Sequence, residues 1–442
     1  MSFPRYPSYK PSGVEWLGHV PAHWLAMPIR RVARLESGHT PSRNHPEYWV
    51  DCTIPWFSLA DIWQVREAGR DCIYETAERV SEVGIQNSAA RVLPKGTVML
   101  SRTASVGFAA IMGVDMATTQ DFANWVCGEG LRPKFLLYSF KAMGSEFNRL
   151  KMGSTHNTIY MPDIQSLCCA VPPPDEQDLV IAFLDRETAK IDALVAEQER
   201  LIELLKEKRQ AVAFHAIAKG LNPAAPRKSS GIEWLGDIPA HWRMMRLKHL
   251  SPAMTVGIVV NPSSYVSEEG LPFIYGGDIR EGAIDWARAR RIGEEASFSQ
   301  PKTRLSTGDI LTVRVGAPGV TAVVPAECEG GNCASVMHIR RGAFDSAWLC
   351  YAMNTRVVRY QVEVVQYGAA QEQFNIGHAV DFWVPTPPRD EQQAIAAHLG
   401  RVTESIDRLS TEAEQAVCLL RERRAALISA AVTGQIDVRR LN

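Results

Sequence analysis

Two arginines in matching sequence contexts are the first candidates for chemistry. Arg102 lies in KGTVMLSRTASVG (95–107) and Arg314 in TGDILTVRVGAPG (307–319), each after a β-branched run and before a turn of small residues. A guanidinium so placed can reach a phosphate or the O6/N7 edge of guanine, or it can close an ion pair with a carboxylate of its own domain. Ser101, Thr103 and Ser105 surround Arg102 with hydroxyls. A second polar stretch, Ser154, Thr155, His156 and Asn157, follows Gly153, and Gln371, Glu372 and Gln373 follow Gly368 in the corresponding place. Different amide and hydroxyl side chains at one site suit differential recognition of bases, because Asn and Gln pair with adenine and Ser or Thr with several bases. A solvated loop is the plain alternative.

Catalytic motifs are missing. No GxxxxGK[ST] loop and no GxGxxG after a strand offers a nucleotide site. The eleven histidines form no HExxH or other metal-ligand cluster, and neither a GxSxG elbow nor an Asn-Pro-Pro-aromatic tetrapeptide is present. Nine cysteines without a CxxC pair read as reduced, mostly packed thiols. The expectation is a chain with no catalytic residues, no metal and no cofactor of its own.

The elements that position these residues come as a repeat. GVEWLGHVPAHW (13–24) returns as GIEWLGDIPAHW (231–242), with nine of twelve positions identical and two more Val/Ile exchanges. Weaker matches follow in the same order: Pro55, Asp61 and Ile62 with Pro272, Asp278 and Ile279; Gly96, Arg102 and Gly107 with Gly308, Arg314 and Gly319; Asp175-Glu176-Gln177 with Asp390-Glu391-Gln392. One unit of about 215 residues is therefore used twice. Its first part is rich in Gly, Pro and aromatics, with short β-branched runs that predict a mixed α/β domain. Its second part opens on an Asp after a proline cluster, in N-cap position, and continues with almost no Gly as a long helix.

A 4-3 spacing predicts a coiled-coil seam through Leu184, Ile191, Leu194, Leu201, Leu205 and Val212, and through Leu399, Ile406, Leu409, Ala416, Leu420 and Leu427. The predicted fold is α+β and internally duplicated: two mixed domains joined by two long antiparallel coiled-coil helices with pseudo-two-fold symmetry. The boundaries are 1–172, 173–220, 221–387, 388–434 and a tail, 435–442. Trp16, His23 and Trp24, with Trp234, His241 and Trp242, form an aromatic junction. It docks each domain on the helices, or else it touches DNA or a partner. Lys206, Lys208, Arg209, Arg421, Arg423 and Arg424 face a partner or solvent.

Charge and hydropathy limit the partners. The net charge is −1, no apolar window is long enough for a bilayer span, and the N-terminal stretch MSFPRYPSYKPSG has no apolar core of a secretory signal. No membrane association and a cytoplasmic location are expected. Residues 1–173 hold 17 basic and 15 acidic side chains and residues 174–220 hold 7 and 10, so histone-like coating of nucleic acid is excluded and the lone chain is expected to bind DNA weakly.

The GxEWLGxxPxHW start, the SRTASVG turn, GSTHNTIYMPDI (153–164), the PPPDEQ helix start and the heptad helices, in that order, resemble the specificity subunit of a type I restriction–modification enzyme over essentially the whole chain. The resemblance implies two target recognition domains that read an asymmetric bipartite site on double-stranded DNA, one half-site each. It also implies two modification (methyltransferase) subunits and restriction (endonuclease/translocase) subunits as partners, with S-adenosylmethionine, ATP and Mg²⁺ belonging to them. A non-catalytic coiled-coil assembly protein, an orphan or relic of that family, is the alternative.

Overall fold

A computed structural model describes residues 3–152, 157–366 and 373–441. The predicted candidates Ser154, Thr155, His156, Gln371 and Glu372 lie outside these described residues. The chain divides into two compact units, Met1–Gln198 with Gln415–Asn442 (unit 1) and Glu199–Glu414 (unit 2). Two helices, Pro174–Lys219 and Arg389–Val432, dominate the secondary structure, at 46 and 44 residues.

Unit 1 is built on β1 (Ala33–Ser37), β2 (Cys72–Ile73), β3 (Val98–Ser101), β4 (Ala109–Met112) and β5 (Phe122–Cys127), in the order β1-β5-β3-β4-β2. All four residues of β3 are buried, as a strand covered on both faces requires. The helix Pro133–Ala142, started by a proline at its first position, lays Phe135, Leu136 and Phe140 in one core with Val98, Leu100 and Trp125. In unit 2, β6 (Met254–Val256), β7 (Ile310–Thr312), β8 (Thr321–Val323) and β9 (Met337–Ile339) take the order β6-β9-β7-β8. That order reproduces β1-β5-β3-β4. The helix Ser346–Asn354, capped by the Asp345 side chain on the Trp348 amide, covers this sheet with Trp348, Leu349 and Met353.

Within each unit a part of one long helix packs beside a part of the other. In unit 1, Leu184 and Ile191 share a core with Leu427, Ile428 and Ala431. In unit 2, Ala213, Ala216 and Ile217 share one with Ile395 and Leu399. Arg424 pairs with Asp192 in unit 1 at 2.7 Å and Arg209 pairs with Asp407 in unit 2 at 3.1 Å. Both partners of the first pair stand 215 positions from their counterparts in the second, and the pairings run in opposite directions, as antiparallel helices demand.

The register of the seam differs from the expectation by one residue at several places. Leu194, Leu201 and Leu409 are exposed. The buried or half-buried stripe instead runs through Leu184, Thr188, Ile191, Val195, Gln198, Ile202, Leu205, Arg209, Val212 and Ala216 in the first helix. In the second it runs through Leu399, Thr403, Ile406, Ser410, Ala413, Val417, Leu420, Arg424, Leu427 and Ala431, leaving Ala416 half-buried at its side. The heptad persists, but polar side chains fill three of these ten seam positions in each helix. Thr188 and Thr403 return their hydroxyls to the carbonyls of Leu184 and Leu399 at 2.6 and 2.7 Å, and the two arginines find aspartates, so a search for leucine alone slips onto the neighbouring face. Arg209 and Arg424 thus turn toward the seam rather than outward. Asp175 and Asp390 fall inside the first turn rather than at the N-cap, where their charge still complements the helix dipole.

Candidate nucleic-acid interface

Each unit brings its arginine turn and its returning polar segment together. In unit 1, Thr103 bridges Thr158, the Ala104 amide donates to Asn157 O at 2.9 Å, and the Ile159 amide donates to Arg102 O at 2.9 Å. In unit 2, Val315 bridges Gln373 and the Phe374 amide donates to Arg314 O at 3.2 Å. The two candidate regions separated by some fifty residues in sequence are one site in space. Ala104 adopts a left-handed φ of 58°, and Gly316, at the matching position, one of 86°. An alanine in this region is held there by its surroundings, in this case by the bond to Asn157.

Neither arginine makes a salt bridge among the described residues. Arg102 Nε donates to Gln120 O at 3.0 Å and Arg314 Nε to Phe374 O at 3.2 Å, which fixes each guanidinium by one edge and leaves its outer nitrogens available for an anion. Thr103, Ser105 and Gln373 are half-buried beside them and Asn157 is exposed. Ser101 is a correction: it is fully buried on β3, its hydroxyl donates to Thr103 O, and it cannot reach an outside molecule. Strand alternation explains it, because the last residue of a central strand still faces the core.

Sequence reasoning missed the residues that widen this edge. In unit 1 the loop His39–Asn44 lies against it, with Thr40 donating to Gln120 Oε1 at 2.8 Å, and Arg66 approaches Ser105 Oγ at 3.5 Å. Arg43 stacks over Trp49 at 3.7 Å and pairs with Glu78. In unit 2 the corresponding loop, Ile258–Ser263, is tied to the same edge by the Ser335 amide on Ile258 O at 3.2 Å. Alignment on Gly38 and Gly257, whose added Cβ atoms would strike strand carbonyls in both units, would have located the loops.

The EWLG…PAHW motif and the acidic helix start form the junction below. His23 and Trp24 meet Glu176 at 2.8 and 3.1 Å, and Tyr6 donates its hydroxyl to the same carboxylate. Burial, together with the bond to Glu176, holds the Tyr6 hydroxyl well above its ordinary pKa. His241 and Trp242 meet Glu391 at 2.8 and 3.0 Å. Gln177 and Gln392 then accept from the Arg132 and Asp345 amides, both at 2.8 Å. Each junction tryptophan also packs on the glycine that ends the other long helix. Gly434 (φ 73°) lies where an added Cβ would stand 3.2 Å from Trp24, and Gly220 (φ 75°) where it would stand 3.1 Å from Trp242. Only glycine takes that backbone beside a tryptophan without strain. Trp24 and Trp242 are fully buried, which makes them packing residues.

Among the described residues no three His, Cys, Asp or Glu side chains are grouped to hold a metal ion, and no helix is long and apolar enough to cross a membrane. The cysteines are free, and burial pushes the thiols of Cys169, Cys333 and Cys350 up to about 12.

Residues 21–204 match the type I restriction modification DNA specificity domain. The chain is 24% identical over 266 residues to the type I restriction enzyme MjaIX specificity subunit of Methanocaldococcus jannaschii, covering 58% of this chain and 58% of that protein. It is 22% identical over 317 residues to the EcoBI specificity subunit of Escherichia coli, covering 69% and 65%. The aligned parts span less than two thirds of these relatives' own lengths. Among solved structures, a chain of a type I R-M system studied for its assembly and conformational transition superposes with a TM-score of 0.73 at 17% identity, covering 94% of this chain and 99% of that one. The HsdS subunit of Thermoanaerobacter tengcongensis superposes at 0.57, also with 17% identity, covering 94% and 98%. Duplicated sheet order, paired helices and matched domain define a type I DNA specificity fold. Residues 21–204 are similar to that specificity domain, and the chain is similar in sequence to the specificity subunits of type I restriction–modification enzymes.

Proposed function

We propose that the chain selects DNA for a type I restriction–modification complex. Residues 1–172 and 221–387 act as target recognition domains, each for one half of an asymmetric bipartite site, and helices 173–220 and 388–434 are the spacers between them, followed by the tail 435–442. Arg102 and Arg314 hold phosphate at equivalent places. Thr103, Ser105 and Asn157 in one unit and Gln373 in the other discriminate bases, together with Ser154, Thr155, His156, Gln371 and Glu372, which lie outside the described residues. Two modification subunits and the restriction subunits supply S-adenosylmethionine, ATP, Mg²⁺ and the catalysis, in the cytoplasm.

One observation carries this reading. The same arginine turn meets the same returning segment in both units, while the side chains at the tips differ. A shared phosphate anchor with different neighbouring donors is what reading two different half-sequences requires. The test is retention of DNA fragments by the chain co-purified with its modification subunits. Retention of fragments sharing one split sequence is expected, and a complex that forms but holds DNA without sequence preference would favour the coiled-coil assembly protein instead.

A further inference from the structure

The two interface edges differ most at one loop. In unit 1 the loop offers His39, Thr40, Ser42 and Arg43, and in unit 2 the positions equivalent to Thr40 and Pro41 hold Val259 and Val260, which are 59% and 79% exposed. Paired valines at a loop tip leave apolar area in water, and no described residue of unit 2 covers them. Their place is fixed. Ile258 bridges Ala334 and the Ser335 amide binds Ile258 O, while the antiparallel β7–β9 register ends with Thr312 facing Met337, so Arg314, two residues past β7, and Ser335, two residues before β9, leave the sheet at the same end. The valines therefore stand at the same end of the sheet as the arginine and Gln373.

A duplex held there by a phosphate on Arg314 presents base edges to the loop. The one apolar feature on a base edge in the major groove is the C5-methyl of thymine. We propose that Val259 and Val260 form a methyl-sensing contact, so that the half-site read by unit 2 contains a thymine chosen through its methyl group. The unit 1 loop, with Thr40, Ser42 and Arg43, offers hydrogen-bonding side chains in place of the valine pair. This rests on the specificity-subunit reading above and adds a residue-level rule to it.

The experiment uses the complex with modification subunits and its methylated sequence. Uracil, which lacks only the methyl, replaces thymine one position at a time across both half-sites, and binding is measured for the native chain and for V259S/V260S. One replacement is expected to weaken the native complex by roughly fivefold, the value of burying one methyl, and to leave the variant unaffected. Both valines are exposed, so serine should leave the fold intact, and the uracil series on the native chain stands without the variant. If no uracil position separates native from variant, or the half-sites contain no thymine that matters, the proposal is overturned while split-site methylation still upholds the specificity reading. Absence of any split-site methylation would overturn that reading instead.

Discussion

Glu176 in unit 1 holds three side chains, Tyr6, His23 and Trp24, whereas Glu391 in unit 2 holds two, His241 and Trp242, and is the more exposed of the pair. At the far edge of the same units the difference is one of kind: a polar and aromatic loop around Arg43 against two exposed valines. In the cores it is one of charge. Unit 2 buries Asp309 with His338 at 2.7 Å and the Arg341 amide at 2.8 Å, where unit 1 has Thr97 bonded to Pro94 O. The junction is repeated because it must hold the same helices. On the proposed function the edges vary because each faces a different sequence.

The largest expected effect breaks the junctions. E176A strands two buried donors, Tyr6 and Trp24, and frees the exposed His23; it should cost about 3 kcal/mol, against about 2 kcal/mol for E391A, read as a larger drop in unfolding midpoint for the first. Equal losses would show that Tyr6 contributes nothing. D309N should cost about 2 kcal/mol at neutral pH by removing the charge beside a fully buried histidine and replacing one of two accepting carboxylate oxygens with an N–H donor. Burial alone would raise the Asp309 carboxyl, but His338 and the Arg341 and Ser306 amides outweigh it and hold the carboxyl below its ordinary value. Its contribution is therefore complete above pH of about 4 and lost as pH falls through the lower folded-state value. Urea unfolding at pH 7 and pH 3 should show the native chain losing more than D309N does.

Smaller effects test the edges and the seam. R102A and R314A should each weaken sequence-specific binding by the complex about tenfold without changing the preferred sequence, since a phosphate contact positions without choosing bases. R424A should cost about 0.5 kcal/mol and R209A slightly more, because Arg209 also pairs with Glu281 while both remain partly solvated. Identical values would make the Glu281 contact irrelevant.

The duplication was legible because its strongest copies, EWLG and PAHW, hold the junction and tolerate little change. The helices were legible from proline clusters and the absence of glycine. Their seam was read one residue off because Thr188 and Arg209 sit where leucine was sought, and a polar seam residue announces itself only through its partner. Arg102 and Arg314 were found through equivalence, but their carbonyl anchors lie 18 and 60 positions away and left no local mark. Ser101 was misread because exposure at the end of a strand depends on what covers it. The valines escaped notice because an exposed pair and a buried pair look alike in sequence.

The central claim is that two recognition units in one chain read two unlike half-sites. A map of methylated adenines made by the complex with its modification subunits tests it most directly. The account predicts one asymmetric sequence split by an unread spacer. An uninterrupted or palindromic methylated sequence would contradict it.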